Sequence, residues 1–301
     1  MILRPIECRR HTLIHRGLHL QTYHWGDAMK HSHPILFLHG WLDHGTSWNT
    51  TATYLNELGH TCIALDHRGH GRSGHITAYD DYHFVDYISD LQGCIQQLEL
   101  THFHLVGHSM GGTIASLYSA FSTPSPTSLI LVDGLGPKHE EPTDARHRLA
   151  LHLRQRTMTQ THRPMTFDTA IKKYARAHPY LDVESLQIEI SELTKPSAHN
   201  PANLIWSWDP RHRNKSAVGF DLRRFRCFVN QIQVPTFSIL GETSWYQDLP
   251  DIPERLKSYP ALRQNITVPS GHSPHLECPK LLAHAIHQCI SNIGEDNASN
   301  S

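Results

Sequence analysis

Four short apolar runs, Ile35–His39, Cys62–Asp66, Phe103–Gly107 and Leu129–Asp133, alternate with stretches whose apolar residues recur at helical spacing, and this rhythm restricts the fold more than any other feature. Each run is β-branched or apolar and ends in Gly, Asp or His, as strands running into turns do. Their near-continuous hydrophobicity fits parallel strands buried on both faces. The intervening stretches are Trp48–Leu58, Phe84–Leu98 and Met110–Phe121; in the second, Val85, Ile88, Leu91, Ile95 and Leu98 share one helical face. The pattern predicts an α/β fold, a doubly wound, mostly parallel sheet with crossover helices.

After Asp133 the rhythm stops. From Pro137 to about Arg226 the chain is rich in His, Arg and Gln, with helical spacing near Asp144–Met158, Phe167–His178 and Val183–Leu193 and no convincing strand. The strand pattern returns at Pro235–Leu240 and Ile266–Val268, and Pro279–Ile293 reads as a last helix. Residues 137–226 are therefore expected to be a helical lid inserted after the sixth strand, above the strand ends where ligands bind in open α/β sheets. Residues 1–136 and 227–294 form the expected core, and the polar 295–301 a disordered tail.

Composition narrows the partners. Among 301 residues, 27 Lys+Arg against 28 Asp+Glu give a net charge of −1, so no strong field favours nucleic acid or an anionic membrane. The 39% hydrophobic content supplies a core and excludes disordered and collagen-like classes. Apolar runs such as Ile35–Leu38 fall far short of the roughly 20 residues that cross a bilayer. Arg4, Glu7, Arg9 and Arg10 interrupt the first stretch, which thus has no secretory core; a cytoplasmic location is expected. The six cysteines form no C-x-x-C pair and read as reduced, buried thiols.

The 27 histidines invite a metal hypothesis. Local spacing does not support one: H-E-x-x-H is absent, and His67, His70 and His75 lie in a glycine-rich turn. His11, His15 and His19 have helical spacing, but Gly17 and the flanking residues argue for strands. The expectation is compositional bias with solvated side chains, with no metal and no cofactor.

The chemistry centres on Gly107-His108-Ser109-Met110-Gly111, placed after an apolar strand and before an amphipathic helix. A nucleophile elbow is a sharp strand-to-helix turn, and glycines on both sides permit the close backbone approach it needs. A serine hydroxyl needs a base to take its proton. Gly271-His272-Ser273-Pro274-His275 follows the last strand, and His272, next to the glycine, is the preferred base over His275. Two acids end later strands, Asp133 and Glu242; either carboxylate suits the role of orienting the histidine. For the oxyanion, the Met110 N–H needs a second donor, and Trp41 in His39-Gly40-Trp41 is the candidate. The Asp66–Ser73 loop reads as structural, its arginines pinning neighbouring loops.

The chain resembles the α/β-hydrolase superfamily over nearly its whole length, on His39-Gly40-Trp41-Leu42-Asp43, Asp66-His67-Arg68-Gly69-His70-Gly71-Arg72-Ser73, Gly107-His108-Ser109-Met110-Gly111-Gly112 and Gly271-His272. His39–Asp43, Leu131-Val132-Asp133-Gly134 and Trp208-Asp209-Pro210-Arg211 look like the serine hydrolase-like subfamily of esterases. Most relatives carry an aspartate three residues beyond the glycine ending the seventh strand, where this chain has Ser244. Some esterase branches with serine there use an aspartate after the sixth strand, and the resemblance thus implies Asp133 rather than Glu242. It implies hydrolysis of a carboxylic ester or thioester through Ser109, His272 and Asp133, with Trp41 and Met110 as oxyanion donors. Serine at 109 disfavours the aspartate-nucleophile epoxide and haloalkane hydrolases of the fold. A carbon–carbon bond hydrolase and a non-catalytic binding protein on this scaffold are the alternatives. The expected partner is a small-molecule substrate, without nucleic acid or a membrane span, and oligomeric state is left open. Trp206 and Trp208, with Tyr174, Tyr180 and Leu181, either line an acyl pocket or pack the lid.

Overall fold

The computed structural model describes residues 8–26, 33–77, 80–140 and 142–299; the first seven residues and 300–301, on which parts of the leader and tail expectations fall, lie outside them. Eight strands form one sheet: β1 (Arg9–His15), β2 (Leu18–Trp25), β3 (Ile35–Leu38), β4 (Cys62–Leu65), β5 (His104–His108), β6 (Ser128–Val132), and, after the helical block, β9 (Thr236–Gly241) and β10 (Leu262–Val268). Their order is β1-β2-β4-β3-β5-β6-β9-β10. The pairs β1–β2 and β2–β4 are antiparallel and the rest parallel. Arg16 and Gly17 turn the β1–β2 hairpin with φ of 49° and 78°, the positive pair that a two-residue hairpin turn matched to strand twist requires.

Period-two alternation sorts the central strands between two faces. Leu36, Leu38, Leu105, Leu129 and Leu131 pack with Leu91 and Ile95 of α2 (Phe84–Gln97) and Ile114 and Tyr118 of α3 (Met110–Ser119). Ile35, Phe37, Val106, Ile130 and Val132 pack with Leu55 of α1 (Asn49–Glu57) and Leu282 and Ile286 of the last helix (Pro279–Ser299). Helices on both faces of a mostly parallel sheet are the doubly wound architecture. The last helix runs to Ser299, so most of the polar tail expected to be disordered is helical. β10 begins four residues before the expected Ile266; its exposed, polar Arg263–Asn265 stretch carries little apolar signal because the strand is at the sheet edge.

Between β6 and β9 lie α4 (Ala145–Arg156), α5 (Phe167–Ala175), α6 (Val183–Leu193) and α7 (Leu222–Val229). A strand pair expected to be absent is present here: β7 (Thr194–Pro196) with β8 (Leu204–Trp206), antiparallel. At three residues each, these strands are too short to show a period in sequence. The boundary drawn at 226 cuts α7, whose Phe225 and Val229 belong to the main core.

Two compositional expectations are corrected. Cys227 is exposed and Cys8 and Cys278 partly so, leaving Cys62, Cys94 and Cys289 buried; all are free thiols. Many histidines are not solvated: His39, His67 and His70 are fully buried, and His24, His44, His104, His108, His212 and His275 nearly so. Rings explain how burial is tolerated. His39 packs against His67 at 4.4 Å and His70 against His212 at 4.0 Å, with tilted rings, so imidazole here fills space as a neutral aromatic.

Candidate active site

The glycine spacing at the end of β5 has a steric origin. A Cβ on Gly107 would strike the Gly111 carbonyl, and one on Gly111 would strike the carbonyl of Leu38 at the end of β3. The chain thereby turns from strand to helix at Ser109, which takes φ 51°, ψ −113°, a conformation that a non-glycine residue adopts only when its surroundings enforce it. Its N–H donates to the Val132 carbonyl at 3.1 Å and its carbonyl accepts from Gly112 at 3.0 Å. The hydroxyl is held above the sheet's C-terminal edge.

His272 follows β10 and reaches back over that edge. Its Nε2 lies 3.0 Å from Ser109 Oγ, and its Nδ1 lies 2.9 Å from Asp133 Oδ2. Asp133, fully buried just past β6 with φ 46°, accepts a second hydrogen bond at Oδ1 from the Gly241 N–H at 2.9 Å. Its backbone N–H donates to Ile239 at 2.9 Å. Neighbouring parallel strands therefore fix the carboxylate from both ends. Of the two acids, Asp133 is the one brought to His272; Glu242 is exposed, one residue past β9. Ser244, in the place where most relatives would carry the acid, sits with Oγ 3.4 Å from His272 Nδ1. His275 turns away from Ser109: its Nε2 faces Asp43 Oδ2 at 3.3 Å.

Met110 follows the serine in the chain, and Trp41, half exposed, follows Gly40. Met110 opens α3, where the first backbone N–H groups have no partner within the helix. Gly40 packs beside Ser109: a Cβ there would lie 3.5 Å from Ser109 Cβ. The segment from His39 to Asp43 is a tight turn, with Asp43 N–H donating to Gly40 at 3.4 Å and Leu42 at φ 62°.

Behind this turn lies a buried polar network that sequence reasoning missed. Asp43 accepts from Ser47 Oγ at 3.0 Å as well as facing His275. Burial raises its carboxyl, but hydrogen bonding and charge from His275, with His44 and His39, hold it well below the usual range. His44 meets Glu189 of α6 at 2.9 Å; burial would lower its pKa, but the Glu189 and Asp43 carboxylates raise it to about 9. His108 bonds the His272 carbonyl at 2.6 Å, and burial, reinforced by His275 and His272, keeps its pKa well below the ordinary value. No local motif announces these contacts, since the partners are 145 and 164 residues apart in the chain.

Trp206 and Trp208 are not at Ser109. Trp206 packs with Met165, Ala170 and Ile190 in a small core of the helical block, and Trp208 stacks on it at 6.2 Å. The aromatics beside the histidine are Trp245, half exposed with its ring 4.8 Å from that of His272, and the buried Tyr246, stacked on it at 6.2 Å. From the block, Tyr180 reaches Thr243 Oγ1 at 3.5 Å, next to this mouth.

The Asp66–Ser73 loop is structural, as expected. Asp66 accepts from Gly45 N–H at 2.6 Å, Arg72 N–H at 2.7 Å and Tyr23 OH at 2.8 Å. Arg68 forms a fork on Asp90 at 2.6 and 2.7 Å, the planar pairing that suits guanidinium.

The α/β hydrolase fold family matches residues 33–279. The chain belongs to that family. It is 25% identical over 274 residues to a serine hydrolase-like protein of Danio rerio, covering 87% of this chain and 82% of that one. A serine hydrolase-like protein of Dictyostelium discoideum is 26% identical over 273 residues, covering 87% and 75%. Among solved structures, the thioesterase domain from the curacin biosynthetic pathway superposes with a TM-score of 0.85 at 26% identity, covering 94% of this chain and all of that one. The fold and the resemblance to serine hydrolase-like proteins are therefore as the motifs implied. No helix among the described residues is long and apolar enough to cross a membrane.

Proposed function

We propose that the protein is a serine hydrolase that cleaves a carboxylic ester or thioester through an acyl-enzyme on Ser109. The carrying observation is the chain of contacts from Ser109 Oγ to His272 Nε2 at 3.0 Å and from His272 Nδ1 to Asp133 at 2.9 Å.

In this reading His272 accepts the Ser109 proton as Oγ attacks the acyl carbonyl, and Asp133 stabilises the imidazolium that results. Charge on the tetrahedral oxygen is met by the Met110 and Trp41 N–H groups. Collapse breaks the bond to the alcohol or thiol, which leaves with the proton from His272. Water then donates a proton to His272 and attacks the acyl-enzyme; the second collapse returns that proton to Ser109 and releases the acid. The 137–226 block acts as the lid, with Tyr180 at the mouth and Trp245 from the core beside His272 forming an aromatic rim suited to an apolar acyl or alcohol part. A thioesterase domain among the structural relatives supports acyl transfer over carbon–carbon cleavage. Free cysteines fit a reducing compartment such as the cytoplasm.

A fluorophosphonate tests the reading directly. A single adduct on Ser109, found by peptide mass spectrometry and absent in Ser109→Ala, supports it. Folded protein that takes no adduct and cleaves no aryl ester or thioester overturns it in favour of a binding scaffold.

A further inference from the structure

We infer that Asp43, His108 and His275 form a binding site for a divalent transition-metal ion of the zinc class, directly behind the Ser109–His272 pair. One ligand atom from each residue lies within 4.8 Å of the other two. His275 is 1% and His108 4% exposed, and the Nδ1 of each ring is buried without a hydrogen-bond partner. Asp43 Oδ1, buried and without a hydrogen bond, stands 4.0 Å from His44 Nε2, so Oδ2 is the carboxylate oxygen on the His275 side. Buried polar atoms without a partner are uncommon in a native interior, and His108 Nδ1 is the one among these that is free to ligate together with His275 Nε2 and Asp43 Oδ2. The chemistry of the set is specific: two imidazoles and one carboxylate suit Zn²⁺, Co²⁺ or Ni²⁺ rather than Mg²⁺ or Ca²⁺.

The surrounding contacts fit ligation. The His108 Nε2–H donates to the His272 carbonyl at 2.6 Å, the type of outer contact that fixes the tautomer of a metal-bound histidine and leaves Nδ1 to the ion. His275 Nε2 and Asp43 Oδ2 stand 3.3 Å apart, about the spacing of two ligands on one tetrahedral ion with bonds near 2.0–2.1 Å. His44, on the other side of Asp43, is already committed at both nitrogens, to Glu189 at 2.9 Å and Thr46 at 2.7 Å, so the ion belongs on the His275 side. Local spacing hid the group because its members come from three distant segments.

Occupancy has a consequence for catalysis, which rests on the function proposed above. Closing the three ligands onto an ion shifts His108, whose neighbour in the chain is Ser109 and whose ring holds the His272 carbonyl. The ion therefore acts as an inhibitor that disturbs the Ser109–His272 contact without touching substrate.

The test uses the full chain carrying Ser109→Ala, titrated with Co²⁺ and followed by visible absorption. The expected result is one equivalent with the intense bands of a tetrahedral site, displaced by Zn²⁺. His275→Gln and, as a near-isosteric second variant, Asp43→Asn weaken it at least about tenfold, whereas His272→Ala retains it. Absence of the tetrahedral signal, its survival in both ligand variants, or its loss in His272→Ala overturns the site; the last outcome would place the ion on the base itself. In active wild-type protein, one equivalent of Zn²⁺ should inhibit and a chelator restore activity. Stoichiometric binding without inhibition would overturn the coupling while leaving the site, and an inactive protein that still binds Co²⁺ would break only the function proposed above.

Discussion

The elbow and the helical block are held by different physics. Ser109 stands where it does because backbones meet without side chains between them: Gly107 against Gly111, Gly111 against Leu38, Gly112 against Gly134. Apart from the apolar anchor of Leu222 and Phe225 at its end, the block is held to the core by charged groups and imidazoles. Asp209 accepts from Tyr82 at 2.9 Å and binds Arg211, Arg211 reaches the Ile76 carbonyl at 2.7 Å, Glu189 meets His44, and His212 lies on His70. Close backbone packing does not titrate, whereas these contacts do. Substitutions at the site should therefore change rate with little change in stability, and substitutions at the seam should do the reverse.

The largest effect belongs to Ser109, the proposed nucleophile. Ser109→Ala should lower ester hydrolysis by at least about 10⁴-fold while Tm moves by no more than about 2 °C. A fall of less than tenfold, measured with an activated aryl ester, would remove Ser109 from the reaction. A Tm loss of many degrees would show that the hydroxyl also supports the fold, against the separation drawn here.

Asp133→Asn comes next, at about 10³ to 10⁴-fold in kcat, because an amide no longer holds His272 in the tautomer that accepts from serine. Glu242→Gln should stay within about twofold, since the exposed Glu242 side chain makes no contact with His272 among the described residues. Equal losses in the two variants, read as the rate of fluorophosphonate labelling, would return the acid to Glu242.

These positions differ in how much the sequence discloses. Gly107, Ser109 and Gly111 are local, so their spacing alone exposes the turn, and the central strands are legible because both faces are buried and the runs are unbroken. The choice between Asp133 and Glu242 depends on which strand end lies beside His272, a tertiary fact that only likeness to relatives anticipated. Trp245 and Ser244 follow β9 closely, yet nothing in their spacing says that the loop folds back on His272. The buried histidines are the clearest failure: as separate residues they look polar and solvated, and ring packing such as that between His70 and His212, 142 residues apart, leaves no local period.

At the seam, Glu189→Gln should cost stability on the order of 3 kcal/mol, the usual result of leaving one member of a buried ion pair without its partner, with less than tenfold change in kcat. The pH dependence gives its sign. His44 has a folded pKa of about 9, above its unfolded value near 6.5. Its contribution is complete below pH 6.5 and is lost as pH rises through 9. Wild-type protein should lose urea resistance over that window, and Glu189→Gln should lack this part of the decline. A variant that keeps the full decline would show that the pair is not what titrates.

The smallest effect sharpens the comparison from the acid side. His70 is fully buried, and burial lowers its pKa to about 4, so the native state holds it neutral. Below pH 6.5 the unfolded chain binds the proton first; stability is present above that pH and falls as pH drops toward 4, by about 2 kcal/mol for this one group at pH 5. His70→Phe keeps a flat ring against His212 and removes the titration. Between pH 7 and pH 5 the variant should lose about 2 kcal/mol less than wild type in urea unfolding. His24, on β2 far from the block in sequence and also lowered to about 4, supplies the control: His24→Phe should reduce the acid loss by a similar amount but leave the pH dependence of KM unchanged. If His70→Phe alone flattens KM against pH, protonation at the seam loosens the cover over the site before the fold gives way; if neither does, the cover is insensitive to these imidazoles and the two regions are not as different as their contacts suggest.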